Sequence, residues 1–115
     1  MIYYNKDIRN ILIERAKLGA TIQYGKLNEL IGCPYNLEIS SERTRMGEDL
    51  GDISEFENSQ GRPLLSSVVV NTNGVTGVGF FEMAQKLELF DPSKQSKKKF
   101  LQQEQKKVFE YWKRH

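Results

Sequence analysis

Apolar positions recur along the chain with the period of helices in five places. Asn5 stands ahead of a stripe of Ile8, Ile11 and Leu12, and Gly19 follows as the terminating residue, which predicts a first helix. Ala20 to Gln23 is short and partly β-branched and reads as a strand. Leu27, Leu30 and Ile31 then fall at i, i+3 and i+4 in a helix running from Tyr24 to Gly32. Cys33-Pro34-Tyr35-Asn36 is a turn, because Pro34 opposes continued helix. Ser40 or Ser41 caps a third helix whose stripe is Met46, Leu50, Ile53 and Phe56, interrupted by Gly47 and Gly51.

After the polar loop 58–63, the run Leu64 to Val70 is the strongest predicted strand. Asn71-Thr72-Asn73-Gly74 contains the Asn-Gly pair favoured in tight hairpins, so residues 75–80 are expected to return as its partner strand. A short helix is predicted from Phe81 to Leu89, and Asp91-Pro92-Ser93 breaks it. Ser96 opens a last helix to about Arg114, with Leu101, Val108 and Trp112 in one stripe flanked by Phe100 and Tyr111. Of Phe109, Tyr111 and Trp112, which point in different directions, one is expected to stay exposed. Three helices followed by a hairpin predict an α+β, winged-helix-like domain spanning 1–115, with two further C-terminal helices. Segment 94–115 is then a basic helix packed on that domain, the third helix is the candidate for a DNA groove, and the hairpin is the wing.

The 115 residues are 38% hydrophobic and 28% charged, the composition of one folded domain. A single cysteine, Cys33, excludes an internal disulfide and a multi-cysteine zinc site. The single histidine is the last residue, His115, so no Ser-His-Asp or Cys-His site forms inside the fold. No apolar run has membrane-span length, and Met1-Ile2-Tyr3-Tyr4 leads directly into a polar amphipathic segment, so a cytoplasmic protein without a leader is expected. The net charge of +2 hides an asymmetry. Residues 41–60 carry six acidic and two basic side chains, and residues 86–115 carry nine basic and four acidic. An acidic middle and a basic tail point to nucleic acid, or to a charged protein partner.

A family likeness rests on particular residues. Ile8-Arg9-Asn10-Ile11-Leu12 leads to Gly19-Ala20-Thr21-Ile22-Gln23-Tyr24-Gly25-Lys26-Leu27, then to Ile31-Gly32 and Pro34; Val69 to Gly74 and Gly79-Phe80 follow. In order and spacing, residues 8–81 resemble the C-terminal winged-helix domain of O6-alkylguanine-DNA alkyltransferases and alkyltransferase-like proteins. Aligned on Asn73-Gly74, the resemblance puts Ser66 at the family's nucleophilic cysteine and Ser67 at the adjacent histidine. Alkyl transfer needs an activated thiolate. The resemblance therefore implies a protein of the alkyltransferase-like kind, which lacks the cysteine and only binds DNA. The family's stack-inserting arginine also precedes a glycine, but Arg43 and Arg45 stand at other spacings from Gly47. Segment 61–70, with 77–81, also looks like that of small uncharacterised bacterial proteins, a likeness that implies no activity.

Two partner classes follow. For double-stranded DNA, the candidate contacts are Tyr24, Arg43, Arg45, Arg62, Asn73, Lys97, Lys98 and Lys99, the cations acting on phosphate. For a basic protein partner, as in an inhibitor or immunity-type module, the candidates are Glu48, Asp49 and Asp52 of the acidic third helix. Those carboxylates read as a solvated face and not as a metal site, since no histidine accompanies them. Gly74 to Gly79 lacks the Lys-Ser/Thr ending of a phosphate loop. No metal or cofactor is expected, and no catalysis.

Overall fold

A computed structural model describes residues 3–115; Met1 and Ile2, where the leader-free reading begins, lie outside the described residues. Chain order is α1 (Lys6–Lys17), β1 (Ile22–Gln23), α2 (Tyr24–Leu30), α3 (Ser40–Ser59), a 3-10 helix (Leu65–Val68), β2 (Val69–Val70), α4 (Val78–Lys86) and α5 (Lys97–Arg114). This is a mainly helical α+β fold with a two-stranded sheet among the described residues. No helix among them is long and apolar enough to cross a membrane.

The N-terminal half follows the hydrophobic pattern. The Asn5 side chain accepts the Ile8 amide at 3.0 Å, a cap of about 1 kcal/mol. Ile8, Leu12 and Ala16 are buried along one face of α1. Gly19 ends the helix at φ +68°, a backbone state that costs glycine little. The Asn28 side chain holds both backbone groups of Tyr35, at 2.8 and 3.2 Å, and so ties the connection after α2 to that helix. Helix α3 begins one residue before its expected cap could act: Ile39 is the N-cap and makes no side-chain bond. Its buried face is Met46, Leu50, Ile53, Ser54 and Glu57, while Phe56 is half-buried and stacks on Tyr4 at 4.3 Å.

The expected hairpin does not form. β2 pairs with β1 in parallel, Ile22 opposite Val69 and Gln23 opposite Val70. Residues 64–70 are buried without a break, and a continuous apolar run does not distinguish strand from a tightly packed coil. Four of those residues wind into the 3-10 helix, against which α1, α3 and α5 all pack. Glu104 of α5 accepts the Leu64 amide at 3.0 Å at its start. The Asn71–Gly74 turn is present, with Gly74 at φ +79° and its amide on the Asn71 carbonyl at 3.0 Å. Beyond it the chain enters α4 at Val78, not Phe81, because Phe80, Phe81, Met83 and Ala84 bury one helical face.

Two apolar clusters result. The larger joins α1, α2, α3, the sheet and the C-terminal half of α5 around Leu12, Leu27, Ile53, Val68 and Val108. The smaller packs α4 on the first turns of α5 through Phe80, Phe81, Phe90, Phe100 and Leu101. Ser96 caps α5, accepting the Lys99 amide at 3.1 Å. No aromatic side chain of α5 stays exposed: Trp112 is buried, and Phe109 and Tyr111 are half-buried.

Candidate functional site

Three of the predicted phosphate contacts are occupied within the protein or stand among carboxylates. Glu57 falls on the apolar stripe of α3, eleven residues after Met46, and is fully buried. Arg9 of α1 and Arg62 both donate to its carboxylate, each about one-fifth exposed. The Arg9 guanidinium also lies 5.5 to 5.8 Å from the rings of Phe56, Trp112 and Tyr4. Arg62 thus neutralises a buried charge and is withdrawn from the set of phosphate contacts. Arg45 donates to both oxygens of Glu42 at 2.9 Å and to the Pro34 carbonyl at 2.9 Å, and lies 4.6 Å over the Tyr35 ring. Its work is to pin the loop before α3. Arg43 donates to the Leu37 carbonyl at 2.8 Å and has no carboxylate partner among the described residues, but it borders an acidic groove.

The remaining candidates are scattered. Lys97 lies 5.5 Å over the Phe81 ring, and Lys98 and Lys99 are exposed beside it at the start of α5. Asn73 is exposed at the tip of its turn, with its amide on the Asn71 side chain at 2.8 Å. Tyr24 is half-buried, and its hydroxyl accepts the Gly77 amide at 2.8 Å. Burial raises its pKa above the usual phenol range, and the Gly77 contact opposes this.

Two depressions lie on either side of Asn71, which lines both. One is a shallow cationic shelf of about 360 Å³ at the end of the parallel strands. Arg15, from the last turn of α1, and Lys26 of α2 flank it. Thr21, Thr72 and the backbone of Asn71 and Gly74 complete it. Arg15 has no carboxylate partner among the described residues, and Lys26 has only Glu29 at 3.8 Å. Sequence reasoning missed both cations. The signal was weak: a basic residue closing α1, and one following the Tyr-Gly pair.

The second depression is a groove of about 960 Å³ between α3 and α4. Its walls carry Glu48, Asp49, Asp52, Glu55 and Glu82 against Arg43 and Lys86. Asp49 accepts the Tyr35 hydroxyl, a contact that, together with burial, drives the Tyr35 pKa far above its usual range. Burial raises the Asp52 pKa, and its neighbours Glu55, Asp49 and Glu48 raise it further. Among the described residues no three of His, Cys, Asp or Glu are placed to hold a metal ion. Ser66, aligned with the family nucleophile, borders the groove; its hydroxyl is 2.5 Å from that of Ser54, which also accepts the Ser66 amide at 2.9 Å. The Ser67 hydroxyl is buried without a partner among the described residues. His115 stacks on Tyr111 at 3.9 Å, at the far end of α5.

No family model, curated protein or solved structure matches the chain.

Proposed function

We propose that this protein binds double-stranded DNA and has no catalytic activity of its own. One observation carries the reading: Arg15 and Lys26, both free of tight ion pairs, converge on the Asn71–Gly74 turn at the end of the parallel strands. Two cations beside exposed backbone and threonine hydroxyls suit consecutive phosphates, which position a duplex without reading its sequence. In this reading the fold is a winged-helix variant. α2, the connection 31–39 and α3 correspond to a helix-turn-helix, and the tight Asn71–Gly74 turn takes the place of the wing. Tyr24 and Asn73 border the duplex, and Lys97, Lys98 and Lys99 add attraction at longer range. The likeness of residues 8–81 to the alkyltransferase-like proteins supports the same function. Ser66, held by Ser54 with no histidine beside it, supports the absence of alkyl transfer.

The acidic groove sets the orientation. Carboxylates beside phosphates lower affinity, so the exposed face of α3 around Glu48 and Asp52 is turned away from the duplex. The test is a ¹⁵N NMR titration with a duplex of about 16 base pairs. Amide shifts concentrated at Thr21–Gln23 and Asn71–Gly74 are expected. Shifts confined to α5, or none at low salt, refute the reading.

A further inference from the structure

The groove between α3 and α4 has no part in DNA binding, and its construction calls for a separate occupant. Glu48, Asp52 and Glu55 lie at i, i+4 and i+7, one stripe along about 10 Å of α3. Glu82 faces the same groove from α4. None of these four has an ion-pair partner among the described residues. Next to the stripe stand Gly47 and Gly51, in the middle of a 20-residue helix. A Cβ added at either meets nothing within 4 Å, so internal packing does not require glycine there. What glycine does at these positions is leave bare backbone on the groove wall. Val78, two-thirds exposed, offers an apolar contact opposite.

From this combination we infer that the α3–α4 groove docks a basic amphipathic helix of a partner protein. Lysine or arginine at i, i+4 and i+7 of that helix pairs with Glu48, Asp52 and Glu55. An apolar residue of it rests on Val78, and the two glycines allow a close approach of the helix axes. Charge complementarity decides the class of occupant: the groove repels phosphate, and an acidic or neutral helix would leave four carboxylates without a cation. The inference is independent of the DNA reading, since the two surfaces carry opposite charge.

The experiment uses the full chain and a fluorescein-labelled helical Leu/Lys peptide of about 18 residues, followed by anisotropy at about 50 mM salt. Saturable binding is expected. A peptide of the same composition with scrambled Leu/Lys order should bind about tenfold more weakly or worse. The Glu48→Gln/Asp52→Asn/Glu55→Gln triple variant should weaken binding by a similar factor. Gly47→Leu should block it while keeping a melting temperature at or above that of the wild type. Absence of saturable binding overturns the inference. So does equal binding of the scrambled peptide, or indifference to the triple variant.

Discussion

The Tyr24 hydroxyl accepts the Gly77 amide at 2.8 Å, which joins the first residue of α2 to the N-cap of α4 across 53 positions of sequence. Both residues line the acidic groove, and the bond ties the start of α4 to α2. A Cβ on Gly77 would lie 3.3 Å from that hydroxyl, which leaves little room for a larger residue. Tyr24→Phe is expected to lose about 1 kcal/mol in urea denaturation. It should also speed hydrogen exchange at the Gly77 amide; unchanged exchange there would show that the bond does not hold α4.

The tyrosines also set an alkaline limit. Tyr24 and Tyr35 both have pKa values raised in the folded state, Tyr24 by burial and Tyr35 by burial and by Asp49 beside it. The folded protein therefore holds these protons more tightly than the unfolded chain. Their contribution is complete below the ordinary tyrosine pKa of 10.0 and is lost as pH rises above it. Denaturation midpoints should fall with pH beyond that value, and the fall should be shallower in Tyr35→Phe.

Gly47→Ala and Gly51→Ala should each stabilise the protein by about 0.5 to 1 kcal/mol, because interior helix glycines cost that much and the added methyl meets nothing. Chemical denaturation reads this directly. Destabilisation by either substitution would mean that the glycine is required by packing after all.

Glu57→Gln leaves Arg9 and Arg62 without their common counter-charge at a fully buried position. A loss of about 3 kcal/mol is expected. Arg62→Ala should likewise lower the melting temperature and leave the salt dependence of DNA binding unchanged. A reduced salt slope in Arg62→Ala would return this residue to the phosphate contacts.

Burial raises the Asp52 pKa, and the neighbouring Glu55, Asp49 and Glu48 raise it further. Its raised folded pKa means that the charge costs stability above that pKa, and that the cost disappears as pH falls towards the ordinary value of 3.8. Asp52→Asn should therefore be more stable than wild type at pH 7 and equal to it near pH 3. A variant less stable at neutral pH would show the opposite electrostatic balance.

The helices were legible because their apolar faces repeat at 3.6 residues: Ile8, Leu12 and Ala16, or Leu101, Val108 and Trp112, bury as their spacing requires. The sheet was not. Leu64 to Val70 is buried on all sides, so its sequence carries no alternation to separate strand from 3-10 helix, and its pairing with Ile22 and Gln23 is a long-range choice. The candidate site was legible only in part. Tyr24 lines the acidic groove and Asn73 is exposed at its turn, but Arg62 turned inward and Arg45, though exposed, is engaged by Glu42 and the Pro34 carbonyl. The sign for Arg62 was present in the sequence: Glu57 continues the stripe of Met46, Leu50 and Ile53, and a carboxylate in a core stripe needs cations. The shelf depends on α1 ending beside β2, which no local pattern encodes.

The central claim is that phosphates lie on the shelf of Arg15 and Lys26. The measurement that tests it most directly is the salt dependence of duplex binding, by fluorescence anisotropy from about 50 to 200 mM salt. Wild type should bind saturably, with a steep linear fall of log affinity against log salt. Arg15→Ala/Lys26→Ala should weaken binding and reduce the magnitude of that slope by about 2, one unit for each phosphate that the variant no longer neutralises. Binding absent at 50 mM salt, or a slope that the double variant leaves unchanged, would contradict the account.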